Sequence, residues 1–312
     1  MSSANRENTL LAAVHALKGA ADPTRLRLLA LLAHGELTVG EICAVLRQSQ
    51  PRISRHLRLL AESGYLDRFR EQQHVYYRTP VAGLRFGWLR QLLELLGTQE
   101  PQLQRDRERM EQVIADSARQ AARLLPAAAA PVTEEDAATL ATLVLEEVGP
   151  VGVGELLDIG TGSGQMLQHL ARRAQHAVGI DIASPALRLA RARVHGAGLR
   201  HCEFHRGDMY QLPCATASFD TVSMDRVLAA AARPEAALRE AARALRPEGR
   251  LIIVEGFEQI ERAVGGNALR GLRSWLTSAG LRAERLRPCD TAGGHYLIAT
   301  ARPTAVQGVK AA

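Results

Sequence analysis

The stretch Leu156-Leu-Asp-Ile-Gly160-Thr-Gly-Ser-Gly164 decides the fold of the longer part of the chain. It joins a short apolar run, typical of a buried strand, to a turn that contains three glycines. Glycine suits this turn because the backbone bends sharply and approaches a ligand without a Cβ in the way. Tight turns between strands and helices are common, so the turn alone is weak evidence for a binding site.

The pattern around this turn predicts an α/β domain. Apolar strands alternate with helical segments after Thr133, and the expected strands are 156–159, 177–180, 201–205, 221–224 and 251–255. Such alternation favours a parallel sheet covered by helices. In these sheets the ligand binds where the carboxyl ends of the strands meet.

Two further strand ends carry acidic residues. Asp181 follows Gly160 by 21 residues, the spacing at which a carboxylate accepts ribose hydroxyls, and Asp208-Met209 follows the next strand. Asp158 lies in the first strand end, where it faces a ligand ammonium group directly or through water. Asp208 suits an adenine amino group, and no arrangement favours a pyrophosphate. The set therefore favours S-adenosylmethionine (SAM) over NAD.

This half of the chain resembles the class I SAM-dependent methyltransferases. The resemblance spans about residues 140–301 and includes the segments 218–222, 245–251, 275–281 and 296–300. It implies a Rossmann-like, mostly parallel seven-stranded sheet that binds SAM or S-adenosylhomocysteine (SAH). It places Asp181 on the ribose, Asp208 and Met209 on the adenine, and the glycine turn beneath the methionine part. The candidate ligand contacts are Asp158, Gly160, Thr161, Gly162, Gly164, Asp181, Ile182, Asp208 and Met209.

Catalysis stays open at this stage, and no catalytic residue is assigned. Methyl transfer mainly requires a nucleophile held in line with the sulfonium, often with the help of a base. The residues after the fourth strand include four alanines, 229–232, which offer neither a base nor a hydrogen bond. The segment before Trp275, often a substrate lid, is short and contains glycine. Possible substrate contacts, for which a structural role is favoured, are His205, Asp225, Arg226 and Glu255.

The first quarter of the chain holds most of the excess positive charge. The net charge is +6, and residues 1–80 contain eleven basic and seven acidic side chains. Thr38-Val-Gly-Glu41 is a capping box that predicts a helix to about Arg47. Ser49 is expected to cap the next helix, and Pro51 fits its first turn.

That next helix, residues 50–62, predicts a DNA-reading surface. Ile53, Leu57 and Leu60 fall on one face, and Ser54, Arg55 and Arg58 fall opposite. A helix with one apolar and one arginine-rich face, held by a second helix and a short turn, suits the major groove. Segments 66–70 and 74–78 predict a hairpin that forms a basic wing. The candidate DNA contacts are Gln50, Pro51, Arg52, Ser54, Arg55, Arg58 and Arg70.

Residues 8–97 resemble the ArsR/SmtB family of repressors. The resemblance is carried by the segments 21–29, 41–43 and 49–60. It implies a winged helix-turn-helix homodimer that pairs through helices 10–17 and 84–96 and binds a palindromic operator. Cys43 lacks the second thiol of the family's Cys-x-Cys metal site, and residues 84–96 contain neither His nor Asp. Metal sensing is therefore not expected.

The expected organisation is a DNA-binding and dimerisation domain (1–97), a helical connector with a Pro/Ala linker (98–131) and a SAM-binding domain (132–312). No apolar run approaches the roughly 20 residues of a membrane span, and the four cysteines are scattered. A cytoplasmic protein is expected. The first hypothesis is a transcriptional regulator with SAM or SAH as its effector. The alternatives are an active methyltransferase for a small molecule, and an enzyme whose winged helix only dimerises it.

Overall fold

The computed structural model describes residues 10–80, 84–96, 100–125 and 133–304. The chain divides into two compact units, Met1–Gln120 and Ala121–Ala312. The expected Pro/Ala linker, residues 126–131, lies outside the described residues.

The first unit is a winged helix-turn-helix with additional helices. Its three strands form an antiparallel sheet in the order β1-β3-β2, in which β2 and β3 are the expected wing. The elements are α1 (Leu10–Ala20), α2 (Pro23–Leu32), β1 (Leu37–Thr38), α3 (Val39–Leu46), α4 (Gln50–Glu62), β2 (Asp67–Glu71), β3 (His74–Arg78), α5 (Leu84–Leu96) and α6 (Pro101–Ala122).

Local signals account for the helix-turn-helix boundaries. Both halves of the capping box at the start of α3 are present, since Thr38 accepts from the Glu41 N–H and Glu41 accepts from the Thr38 N–H. Arg47 ends α3 in the left-handed region at φ 52°. Ser49 occupies the expected N-cap position of α4, but its side chain makes no capping hydrogen bond there.

The helical stretch that was expected to be a connector contains α6, which is built into the first unit. Met110 is buried in the same apolar core as Leu28 and Ile53. Arg27 of α2 donates to both carboxylate oxygens of Asp106 at 2.7 and 2.8 Å. α6 is therefore fixed to the winged helix by both apolar packing and a buried ion pair.

The second unit has a seven-stranded sheet in the order β6-β5-β4-β7-β8-β10-β9. All neighbours are parallel except β10, which is antiparallel to β8 and β9. This confirms the expected mostly parallel sheet. The elements are α7 (Glu134–Val148), β4 (Gly154–Ile159), α8 (Gln165–Ala171), β5 (Ala174–Asp181), α9 (Ser184–Gly196), β6 (Cys202–Arg206), β7 (Phe219–Asp225), α10 (Pro234–Ala244), β8 (Leu245–Gly256), α11 (Phe257–Val264), α12 (Ala268–Ser278), β9 (Leu281–Thr291) and β10 (Gly294–Pro303).

Both faces of this sheet are buried, which explains the continuous apolar runs in its strands. Leu156 packs with α7, α8 and α9, whereas its neighbour Leu157 packs with α10 and α12. The helices thus form one layer on each side. The parallel strands β6, β5, β4, β7 and β8 end at one edge, where the glycine turn follows β4.

Within the part of the chain that the structure describes, no helix combines the length and apolar character needed to cross a membrane.

Candidate functional site

The glycine turn between β4 and α8 requires its glycines. Gly160, Gly162 and Gly164 have φ values of 69°, 54° and 76°, in the left-handed region that side chains disfavour. A Cβ on Gly160 would lie 2.5 Å from Val227 Cγ2. The N–H groups of Gly160 and Thr161 both donate to the Ile180 carbonyl, at 2.8 and 3.0 Å. The turn is therefore held against the end of β5.

Asp181, the candidate ribose contact, lies directly beside this turn. Its Oδ2 accepts from the Gly162 N–H at 2.9 Å, and its Oδ1 accepts from the Ala183 N–H at 2.8 Å. Each carboxylate oxygen accepts more than one hydrogen bond, so the half-exposed Asp181 retains capacity for a ligand hydroxyl. Ile182, next to it, is 61% exposed.

Asp208 and Met209, the candidate adenine contacts, follow β6. The Gly207 N–H donates to the Asp181 carbonyl at 3.0 Å, which ties this segment to the end of β5. Asp208 is exposed and accepts from the Tyr210 N–H at 2.9 Å, and Met209 packs partly against the core. The structure thus brings the predicted contacts from three strand ends to one edge of the sheet.

Asp158 is buried behind the turn, with 1% of its surface exposed. Its Oδ1 accepts from Ser223 Oγ at 2.6 Å, while its Oδ2 has no hydrogen-bond partner among the described residues. Burial raises the pKa of Asp158 to about 7, although the side-chain hydroxyl groups of Ser223 and Thr161 oppose this shift. A buried carboxyl group with an open acceptor is suited to a cationic donor such as an ammonium group.

A cavity of about 820 Å³ opens from the glycine turn. Gly160, Thr161 and Gly162 form part of its wall, together with Ser163. The other candidate ligand contacts are not part of this wall: Asp158, Gly164, Asp181, Ile182, Asp208 and Met209. The cavity therefore adjoins the glycine turn but does not include the positions expected for the adenosine part of a ligand.

The far wall of the cavity includes residues that sequence reasoning missed. Gln259 and Arg262 lie on α11, which buries Ile260 in the core, and Tyr296 lies on β10. The segment expected to be a short, glycine-containing lid thus contains a helix, with Gly265 as its C-cap. The apolar spacing of Phe257, Ile260 and Val264 was an available signal for it.

Three of the possible substrate contacts also line the cavity. Arg226 donates to both oxygens of Asp225 at 2.9 and 2.7 Å. Glu255 is buried, and its Oε1 accepts from the N–H groups of Leu228 and Ala229 at 2.5 and 3.4 Å. Burial raises the pKa of Glu255 to about 7. All three hold the structure together and also face the cavity, whereas His205 contacts Glu203 instead.

The faces of α4 separate as predicted. Ile53, Leu57 and Leu60 are fully buried. Among the candidate DNA contacts, those exposed are Gln50, Pro51, Arg52, Arg55, Arg58 and Arg70, and Ser54 is half-buried. In the wing, Arg70 Nε donates to the Gln72 carbonyl at 2.9 Å, while Arg78 is held by Glu36 at 3.0 Å.

Cys43 packs partly against the apolar core of the winged-helix unit, and burial raises the pKa of its thiol. In the described residues no group of three His, Cys, Asp or Glu side chains is arranged to hold a metal ion.

The fold and these sites define two classes of domain, a winged helix-turn-helix and a methyltransferase-type α/β domain. Comparison with known families gives the same result. Residues 22–68 match the model of the bacterial regulatory protein, arsR family, and residues 157–253 match the model of a methyltransferase domain.

Curated relatives match each half separately. The chain is 46% identical over 71 residues to an arsenical resistance operon repressor from Escherichia coli (strain K12), covering 22% of this chain and 61% of the repressor. It is 34% identical over 108 residues to a demethylmenaquinone methyltransferase from Clavibacter sepedonicus, covering 35% of this chain and 43% of that enzyme. The matches thus span less than two thirds of either relative.

A similar solved structure is that of a SAM-dependent methyltransferase from Aquifex aeolicus. It is 21% identical, with a TM-score of 0.44, and the match covers 55% of this chain and 98% of the other.

Proposed function

We propose that the protein is a cytoplasmic transcriptional regulator that binds operator DNA as a homodimer and responds to SAM or SAH rather than to a metal ion. The observation that carries the proposal is the division of α4 into a fully buried apolar face and an exposed face with Arg52, Arg55 and Arg58. Exposed arginines on the second helix of a helix-turn-helix are suited to hydrogen-bond with base edges and phosphates of DNA.

The effector would occupy the edge of the sheet around the glycine turn. Asp181 would accept the ribose hydroxyls, Asp208 and Met209 would contact the adenine, and Ile182 would cover it. Asp158, with its open buried acceptor, would hold the ammonium group directly or through water. SAM brings a sulfonium methyl group to such a site, and SAH is the same molecule without that methyl.

The homodimer would pair through α1 and α5. Leu17 on α1 is 61% exposed and Leu95 on α5 is 84% exposed. Exposed leucines on the first and last helices of the winged helix suit a subunit interface, where their burial is favourable.

α6 is the element through which ligand binding would alter DNA affinity. It is anchored to α2 by Asp106 and Arg27, and its Arg109 donates to the Val45 carbonyl of α3 at 3.4 Å. A change in α6 therefore reaches the helix that supports α4. Such coupling requires that the ligand bind the DNA-bound and free forms with different affinities.

The second candidate function is methyl transfer to a small molecule. The cavity favours it, because its polar wall of Glu255, Gln259 and Tyr296 offers hydrogen-bonding groups beyond the glycine turn. Ala229 and Ala230, which also line the cavity, offer an acceptor no such groups.

The experiment is a fluorescence anisotropy titration of the full chain against a labelled duplex from upstream of its own gene, with and without SAM and SAH. Calorimetry first establishes saturation by each ligand. We expect saturating ligand to change the DNA affinity by about 5- to 150-fold. Unchanged affinity at saturation rules out the sensor, and transfer of a labelled methyl group from SAM to a candidate acceptor establishes the enzyme. If the wild type and Arg55→Ala alike fail to bind any duplex, the winged helix serves only as a dimerisation module.

A further inference from the structure

A groove of about 710 Å³ lies on the winged-helix unit, between the start of α2 and one flank of α4. Its wall includes Asp22 and Arg25 from the start of α2, and Arg52, Arg55 and His56 from α4. Arg25 and His56 are not among the candidate DNA contacts identified from sequence. The groove therefore extends the basic surface of α4 onto a second element.

Two polar groups in this wall lack hydrogen-bond partners within the described residues. Arg25 donates from one terminal nitrogen to the Ala21 carbonyl at 3.1 Å, but its buried Nε has no partner. The buried Nδ1 of His56 lies 3.6 Å from Asp22 Oδ1, beyond hydrogen-bonding distance. Asp22 Oδ1 already accepts the capping bond from the Arg25 N–H at 3.0 Å. The groove thus contains hydrogen-bond donors from which Asp22, its acidic residue, does not accept.

The charge in the groove is strongly positive, with three arginines against one aspartate. Burial lowers the pKa of His56; Asp22 opposes this shift, and Arg25, Arg52 and Arg55 add to it. These are the charged groups that surround His56 from both α2 and α4. In the free protein His56 is therefore mainly neutral at pH 7, and an anion in the groove would favour its protonated form.

The position of the groove indicates which anion it takes. Arg55 belongs both to the exposed face of α4 and to the groove. When a recognition helix lies in the major groove, the sugar–phosphate backbone passes along its flanks, and arginines there contact phosphates. A backbone phosphate of DNA meets this geometry.

We propose that the groove binds a backbone phosphate of the operator through Arg25 and Arg52, and that His56 takes up a proton when the phosphate docks. The proposal rests on the DNA-binding function proposed above. It makes Arg25, a residue outside the recognition helix, part of the DNA interface, and it makes DNA affinity fall as pH rises.

The test measures anisotropy of the full chain with the labelled upstream duplex and with a random-sequence duplex, between about 50 and 200 mM KCl. Arg25→Gln and Arg52→Gln should each weaken binding to both duplexes and reduce the slope of log affinity against log salt by about 1. Arg107→Gln on α6 is the matched control, because it removes one exposed arginine from the same unit outside the groove. It should leave the slope unchanged. Arg52 is exposed, so its variant keeps the test valid if Arg25→Gln does not fold.

Proton uptake is measured by calorimetry in two buffers with different ionisation enthalpies, from about pH 6 to 8. The wild type should take up a fraction of a proton per site that His56→Gln abolishes. If the wild type binds DNA but the salt slopes of Arg25→Gln and Arg52→Gln match that of the wild type, the phosphate site is wrong. If uptake persists in His56→Gln, the role of His56 is wrong. If the wild type binds neither duplex, it is the proposed DNA-binding function that fails.

Discussion

Replacing Asp106 by alanine removes the acceptor that fixes α6 to the winged helix. The Asp106 side chain is 3% exposed and accepts two bonds from Arg27. It also accepts from Gln102 at 2.9 Å and from Arg109 at 3.4 Å. The variant therefore leaves three donors without their shared acceptor, and we expect the first unit to be destabilised.

The magnitude follows from the burial of the two partners. Removing one partner of a buried ion pair costs about 3–5 kcal/mol, because the remaining charge is left uncompensated. The Arg27 side chain is 20% exposed and is able to recruit water. We therefore expect a lower cost, about 2–3 kcal/mol of unfolding free energy. With a urea dependence of about 2 kcal/mol per M, the midpoint should fall by about 1–1.5 M.

The assay is urea unfolding of the full chain followed by tryptophan fluorescence. The chain has two tryptophans, and Trp88 packs against the first core. A Trp275→Phe background makes Trp88 the sole tryptophan reporter, so the transition reports on the first unit. Asp116→Ala is the matched control on the same helix, because Asp116 and its partner Arg119 are both exposed. It should move the midpoint by less than about 0.3 M.

Equal midpoints for Asp106→Ala and Asp116→Ala would refute this reasoning. That result would mean that Asp106 does not stabilise the packing of α6 on the winged helix. The proposed coupling of ligand binding to α4 through α6 would then lack its main contact.

Three further predictions concern the two binding sites. In calorimetry, Gly160→Ala should weaken SAH binding more than Gly162→Ala. Both positions have positive φ, but only at Gly160 would the new Cβ lie 2.5 Å from Val227. Equal losses of affinity would contradict this. Because burial raises the pKa of Asp158 to about 7 and an ammonium group favours its charged form, SAH affinity should rise with pH and level off above about 7. Asp158→Asn should bind SAH weakly at all pH values without that rise, and a persisting rise would assign the titration to another group. Arg55→Ala should reduce operator affinity by about 1–3 kcal/mol in anisotropy, whereas an unchanged affinity would remove Arg55 from the interface.

Local patterns in the sequence were sufficient to predict the helices and strands and which of their faces are buried. The capping box at Thr38 and the periodicity of α4 act within one or two helical turns, so they are independent of the rest of the chain. The turn at Gly160 and the distance to Asp181 follow from the length of one strand–helix–strand unit. These features were therefore predictable from the sequence, and they were sufficient to predict the fold class. The structure confirmed the winged helix-turn-helix and the mostly parallel α/β sheet.

Tertiary structure decided which residues from distant segments meet. Asp158 and Ser223 are 65 residues apart and become hydrogen-bonded only because β4 and β7 are neighbours in register. Arg27 and Asp106 are 79 residues apart, and nothing in the local pattern of α6 indicated that it would pack on α2. The sequence alone determined secondary structure and amphipathic faces, because these depend on near neighbours. The burial, partners and ionisation of the site residues depend on strand order and helix packing, which only the folded chain determines.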